Sequence, residues 1–160
     1  MNERSTISGF ERDLHWVSVL LRGAIGSLLL VAGINKLPGG VAGTVGYYSS
    51  LFEHTLLPGL VVQAHASVII FVELLLGAWL WSGYRLAWAW RASALLLVSL
   101  AVGMLFAGKY DTASDNYVYV FLALAGLVGS RFDRWAWGGA SVGERVETPL
   151  AQGQPAPRAS

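Results

Sequence analysis

Residues 58–107 read PGLVVQAHASVIIFVELLLGAWLWSGYRLAWAWRASALLLVSLAVGMLFA, and the only charges in that stretch are Glu73, Arg85 and Arg91. A helix that crosses the hydrocarbon of a bilayer needs about 20 mostly apolar residues. Two such lengths stand back to back here, about Pro58 to Trp81 and about Leu86 to Ala107. Gly83 breaks the helix between them, so the pair is expected to form a tight hairpin. Pro58 suits a helix start, where its missing N–H costs nothing.

Two more segments flank the hairpin. One runs from about Leu14 to Ile34, the other from about Thr112 to Arg131. The last is the weakest, because its purely apolar part begins only near Tyr117; tilt or local thinning of the bilayer accommodates such a segment. The expected fold is therefore all-α, an integral membrane four-helix bundle over residues 1–137. A C-terminal tail, 138–160, is rich in Gly, Pro, Ala and Gln and is expected to be disordered. Met1 to Asp13 carries mixed charge, and the apolar segment after it is longer than a signal peptide's core and contains Arg22, so it is expected to be retained. The connection from Asn35 to Leu57 has enough apolar residues for a short helix at or in the membrane surface, or it is an ordinary packed loop.

Composition agrees. The chain is 54% hydrophobic and 13% charged, whereas soluble domains carry about 25% charge. The partner this implies is the lipid bilayer. A net charge of +1 argues against nucleic acid, which requires a dense basic face. With no cysteine, these 160 residues contain no disulfide, thiol relay or cysteine-ligated iron–sulfur cluster.

Orientation follows from the basic residues. Arg4, Arg12, Arg85, Arg91, Arg131, Arg134, Arg145 and Arg158 fall on one side of such a four-span layout, and only Lys36 and Lys109 on the other. The first group belongs in the cytoplasm, with both termini, and the protein in the cell's inner membrane. All seven Trp fall at the same interface as the eight arginines, while Tyr47, Tyr48, Tyr110, Tyr117 and Tyr119 fall toward the opposite one. Both residue types favour the headgroup zone.

Arg22 and Glu73 are charges inside spans, where insertion costs about 2.5–3.5 kcal/mol. Counted from the cytoplasmic ends of their segments, both lie about 12 Å deep. Arg22 shares a face with Gly26 and Gly33, and Glu73 with Ala66 and Gly77; small residues let helices approach closely in lipid. An Arg22–Glu73 ion pair is expected between the first two spans. Such a pair fixes helix register, or it binds a polar headgroup or moves a proton. At the outer end, Lys36, Glu53, His54, Lys109, Asp111, Asp115 and Asn116 form a second polar group, mostly a solvated rim. Lys36 and Asn116, at helix ends, are the members placed to turn inward. His15, His54 and His65 are scattered and share no i, i+4 spacing, so no bound metal is expected.

The run LLRGAIGSLLLVAGINKLPGG (20–40), with Arg22, Gly33 and Lys36, resembles the first helix of the DoxX/DoxD family. LPGLVV (57–62) and FVELLLGAWLWSGYRLAW (71–88), with Glu73, Gly77, Gly83 and Arg85, resemble its second and third helices. GKYDTASDNYVYVFLALAGL (108–127), with Asn116, and RFDRW (131–135), with Asp133, resemble its fourth helix and exit. The resemblance implies a four-helix membrane protein. In the DoxD branch it implies a small subunit of a thiosulfate:quinone oxidoreductase that works with a partner polypeptide. It carries the motif positions onto Arg22, Lys36, Glu73 and Asn116, which become the candidates for quinone binding.

Three functions follow as expectations. The first is a redox-system subunit that interacts with quinone, the basic groups stabilising developing negative charge, Glu73 carrying a proton and Asn116 donating a hydrogen bond. Its electrons would come from other subunits of a membrane complex. The second is a non-catalytic accessory subunit that packs against a larger complex. The third, a transporter, ranks last because no inverted repeat or broken helix pair is visible.

Overall fold

A computed structural model describes residues 3–138, with side chains from Gly9 onward. The chain is all-helical: α1 (Glu3–Lys36), α2 (Gly40–Leu51), α3 (Gly59–Ser82), α4 (Leu86–Phe106) and α5 (Tyr110–Gly129). Three of these are long and apolar enough to cross a membrane: the Gly9–Lys36 part of α1, α3 and α4. α5 has 20 residues, but its first turns carry Asp111, Asp115 and Asn116. The Asn35–Leu57 connection contains a helix, α2, in its middle. Of the tail expected over 138–160, only Gly138 belongs to the described residues; the rest lies outside them.

The helix ends follow local chemistry. Pro58 takes φ −61° and ψ 129° just before α3, and Gly83 stops that helix at φ 71°, a left-handed conformation that a Cβ would strain. Arg85 also has positive φ, 43°. That turn is held from outside: the Arg85 N–H donates to the Trp137 carbonyl (2.8 Å) and the Trp137 N–H to the Gly83 carbonyl (3.1 Å). The Trp137 indole donates to the Ser82 carbonyl (2.9 Å), and the Trp79 indole to the Tyr84 carbonyl (2.7 Å).

α1 packs along α3, α4 along α5, α5 returns to α1, and α2 lies on α3. The α1–α3 seam is built on glycine. A Cβ on Gly77 would stand 2.8 Å from the Gly26 carbonyl oxygen and 2.9 Å from the Leu30 nitrogen, and one on Gly33 would meet Leu74 at 2.7 Å. The backbones therefore approach to a distance that no other residue permits, which gives dispersion contact without relying on a hydrophobic drive that lipid does not supply. Across α4 and α5, the Trp90 indole covers Gly126 closely enough that a Cβ there would overlap it. Ile25, Leu29, Ile69, Ile70, Leu80 and Leu97 fill the space between.

Gly77→Ala, which puts a methyl against backbone rather than a movable side chain, should destabilise the protein by about 1–3 kcal/mol. Gly23→Ala, with nothing within 4 Å of the new methyl, should be neutral or slightly stabilising. Thermal unfolding in detergent distinguishes the two.

Candidate functional site

Lys36 is the last residue of α1, and a lysine stem reaches back along its own helix toward the N-terminus. Its Nζ donates to both carboxylate oxygens of Glu73, at 2.7 Å and 2.6 Å, and to the Ala32 carbonyl at 3.2 Å. Glu73, on α3, is 2% exposed. The carboxylate expected to meet Arg22 meets Lys36 instead.

Arg22 finds another partner. Its Nη1 donates to Asp133 Oδ2 at 3.4 Å, and the Ser18 hydroxyl donates to the same oxygen at 3.2 Å. The Trp135 N–H donates to Asp133 Oδ1 at 2.9 Å. His15 Nδ1 lies 3.8 Å from Oδ1 and accepts the Arg134 N–H at 3.2 Å. The Asp133 side chain is fully buried. This second cluster binds the middle of α1 to the segment that leaves α5.

The Arg22–Glu73 expectation failed on register. It set Leu14 level with Trp81, as if both began at one membrane face. In the structure α1 runs unbroken from Glu3, and Gly26 is the residue that faces Trp81. Arg22 therefore lies level with Gly83, where its Nη1 stands 2.7 Å from the position of a Cβ. Glu73 is ten residues further along α3, about 15 Å away.

Asn116 does not join either cluster. It is half-buried, and its amide donates to the Thr112 carbonyl of its own helix at 3.0 Å. Beside Lys36 there is a cavity of about 320 Å³, lined by Asn35, Lys36, Gly39, Gly43, Thr44, Tyr47 and Tyr48. Tyr48 also borders a second, mainly apolar cavity of about 370 Å³ between α3 and α4. Burial pushes the Tyr48 phenol up to about 12, and the Glu73 carboxylate and then Tyr47 add to the effect. Tyr48, Thr44, Asp133, Ser18 and His15 are not among the site residues that the sequence marks. Asp133 sits in the RFDRW motif, and that was the one available signal. Among the described residues, no group of three His, Asp or Glu is placed to hold a metal ion.

Three apolar helices of spanning length, with acidic groups buried inside and each matched to a cation, define a multi-pass α-helical membrane protein. The family model of methylamine utilisation protein MauE matches residues 14–115, more than half of the chain, and the chain belongs to that family. The family shown is thus MauE, and the DoxX/DoxD resemblance gives way to it. The match takes in Arg22, Lys36 and Glu73 and stops one residue short of Asn116. No curated protein and no solved structure matches the chain.

Glu73→Leu alone should cost about 3–5 kcal/mol, because it leaves a cation in lipid without its counterion, and adding Lys36→Met should recover most of that loss. A double-mutant cycle on unfolding in detergent measures it. For Tyr48, a folded-state value above the usual 10 means that folding holds the phenol's proton. The associated stability is complete below pH 10 and is lost as pH rises toward 12. Tyr48→Phe should remove that decline, and absorbance at the phenolate band should lose its latest-titrating tyrosine.

Proposed function

We propose that this protein is a subunit of an inner-membrane redox system serving methylamine utilisation, and that it interacts with quinone at the end of the molecule that carries Lys36. The family supplies the pathway. The observation that carries the site is the Lys36–Glu73 pair, a buried acid held by a lysine that lines a cavity. Quinone reduction takes two electrons and two protons. Lys36 stands where negative charge on a carbonyl oxygen is stabilised, and Glu73 where a proton is held. Asn116 takes the lesser part, a donor on the rim of α5. Electrons come from a partner protein of the complex.

In this reading the chain forms a four-helix bundle of four spans, α5 being the fourth, with both termini in the cytoplasm. Three segments with basic residues support it. The Trp137 region joins the α3–α4 turn, and Asp133 joins Ser18 and Arg22 of α1, so the middle of α1, the hairpin and the exit lie at one end of the bundle. That arrangement requires α5 to run the full length of the molecule.

One observation favours the accessory reading, in which the protein only stabilises a larger complex: every Nζ proton of Lys36 is already taken within the chain. Purification from native membranes separates the two. The redox subunit should bring partner proteins and extractable quinone, and Glu73→Gln should leave the complex assembled but lower its quinone-linked turnover at least tenfold. An assembled complex with unchanged turnover points to the accessory role. The cysteine-free sequence makes topology equally testable. An impermeant maleimide should label Ser114→Cys in intact cells and Ser82→Cys only after the membrane is opened.

A further inference from the structure

The larger cavity lies between α3 and α4, at the ends remote from their tight turn. Its walls include Val62 and His65 of α3, Leu95 and Met104 of α4, and Tyr48 and Phe52 where α2 ends. Phe52 wedges against Gly103, 3.6 Å from the position of a Cβ, and its ring stacks on Tyr48. The Tyr48 ring meets His65 edge-on, with centroids 6.4 Å apart. His65 stands six residues into α3, about 9 Å along the helix. Val61 and Leu95 are more than half exposed on its rim, and both lie in helices long and apolar enough to cross a membrane, so the opening is on the apolar outer surface of those helices.

An acyl chain alone would satisfy the apolar walls but not the polar groups. Neither the Tyr48 hydroxyl nor the His65 imidazole has a hydrogen-bond partner among the described residues, and in hydrocarbon an unpaired donor costs several kcal/mol. A mainly apolar pocket of a few hundred Å³ with a small number of converging polar groups is the usual form of a small-molecule site. Tyr48 also borders the cavity lined by Lys36, so the two spaces share that residue.

We infer that this lipid-facing groove is the seat of the quinone, its ring and first tail carbons lying between α3 and α4 and a carbonyl oxygen accepting from Tyr48 or His65. The assignment rests on the quinone reading above and moves the ligand: the ring enters from the bilayer side, and Lys36 and Glu73 lie behind Tyr48 on the polar side.

The test uses the full-length protein in phosphatidylcholine nanodiscs, with a photoreactive azido analogue of decylubiquinone and decylubiquinone as competitor. Saturable labelling should map to peptides carrying Tyr48, His65 and Leu95. Val62→Trp, which fills the groove, should reduce labelling at least tenfold. Tyr48→Phe, nearly isosteric, should weaken binding roughly 3- to 10-fold, the worth of one hydrogen bond. Val118→Trp, at an exposed position of α5 away from the groove, should leave labelling unchanged. Saturable labelling that maps elsewhere, or that ignores both Val62→Trp and Tyr48→Phe, overturns the groove and leaves the quinone reading intact. Labelling that never saturates, or that is absent, overturns both.

Discussion

A charge in hydrocarbon must meet its opposite, and α1 beyond Leu14 carries two cations, Arg22 near its middle and Lys36 at its end. Lys36 closes on Glu73 and Arg22 on Asp133. The cations are fourteen residues apart, about 21 Å along the axis. Each pair therefore pins a different neighbour at a different height: the upper one fixes α3 against α1, and the lower one fixes the segment after α5. Lipid provides little drive for apolar faces to associate, so close backbone contact at Gly26, Gly33 and Gly77 has to supply attraction along the seam while the ion pairs set the register. Pairs of this kind specify an arrangement more surely than they stabilise it, because desolvation offsets much of the Coulomb gain.

The architecture was largely legible in the sequence because it depends on local quantities. The length of the apolar runs, Pro58, Gly83 and the small-residue faces give the helices, the hairpin and the α1–α3 seam without reference to distant residues. α2 was half legible, since its apolar content allowed a helix or a loop. The pairing of charges was not legible. It depends on the relative height of two helices, and the sequence does not show that α1 continues upstream of Leu14 or that Gly26 is the residue opposite Trp81. A lysine at a helix end also bends back toward the preceding turn, so its effective depth differs from its sequence position. Asp133 is 111 residues from Arg22, and no periodicity links them.

The polar site shows a similar split. Lys36 stands out in the sequence by its place at a helix end and Glu73 as a charge within a span, and in the structure the two are each other's partners. Asn116 was chosen on the same helix-end reasoning but satisfies its own helix. Tyr48 was visible only as one aromatic among several in a connection. Its importance comes from where α2 places it, between the cavity beside Lys36 and the apolar one between α3 and α4. The family match adds what geometry alone does not, membership of the MauE family.

The strap formed by Phe132–Trp137 has a consequence for biosynthesis. Arg22 enters the bilayer with the first helix, yet its counterion is translated 111 residues later. For that whole interval the guanidinium must borrow partners, from Ser18 beside it or from headgroup phosphates and water near the interface. Emergence of Asp133 ends the loan, and the same short segment then locks onto the Gly83–Arg85 turn. Final assembly is thus timed by the last part of the strap to leave the ribosome, and a nascent chain halted before residue 133 still holds an unmatched cation in its first helix.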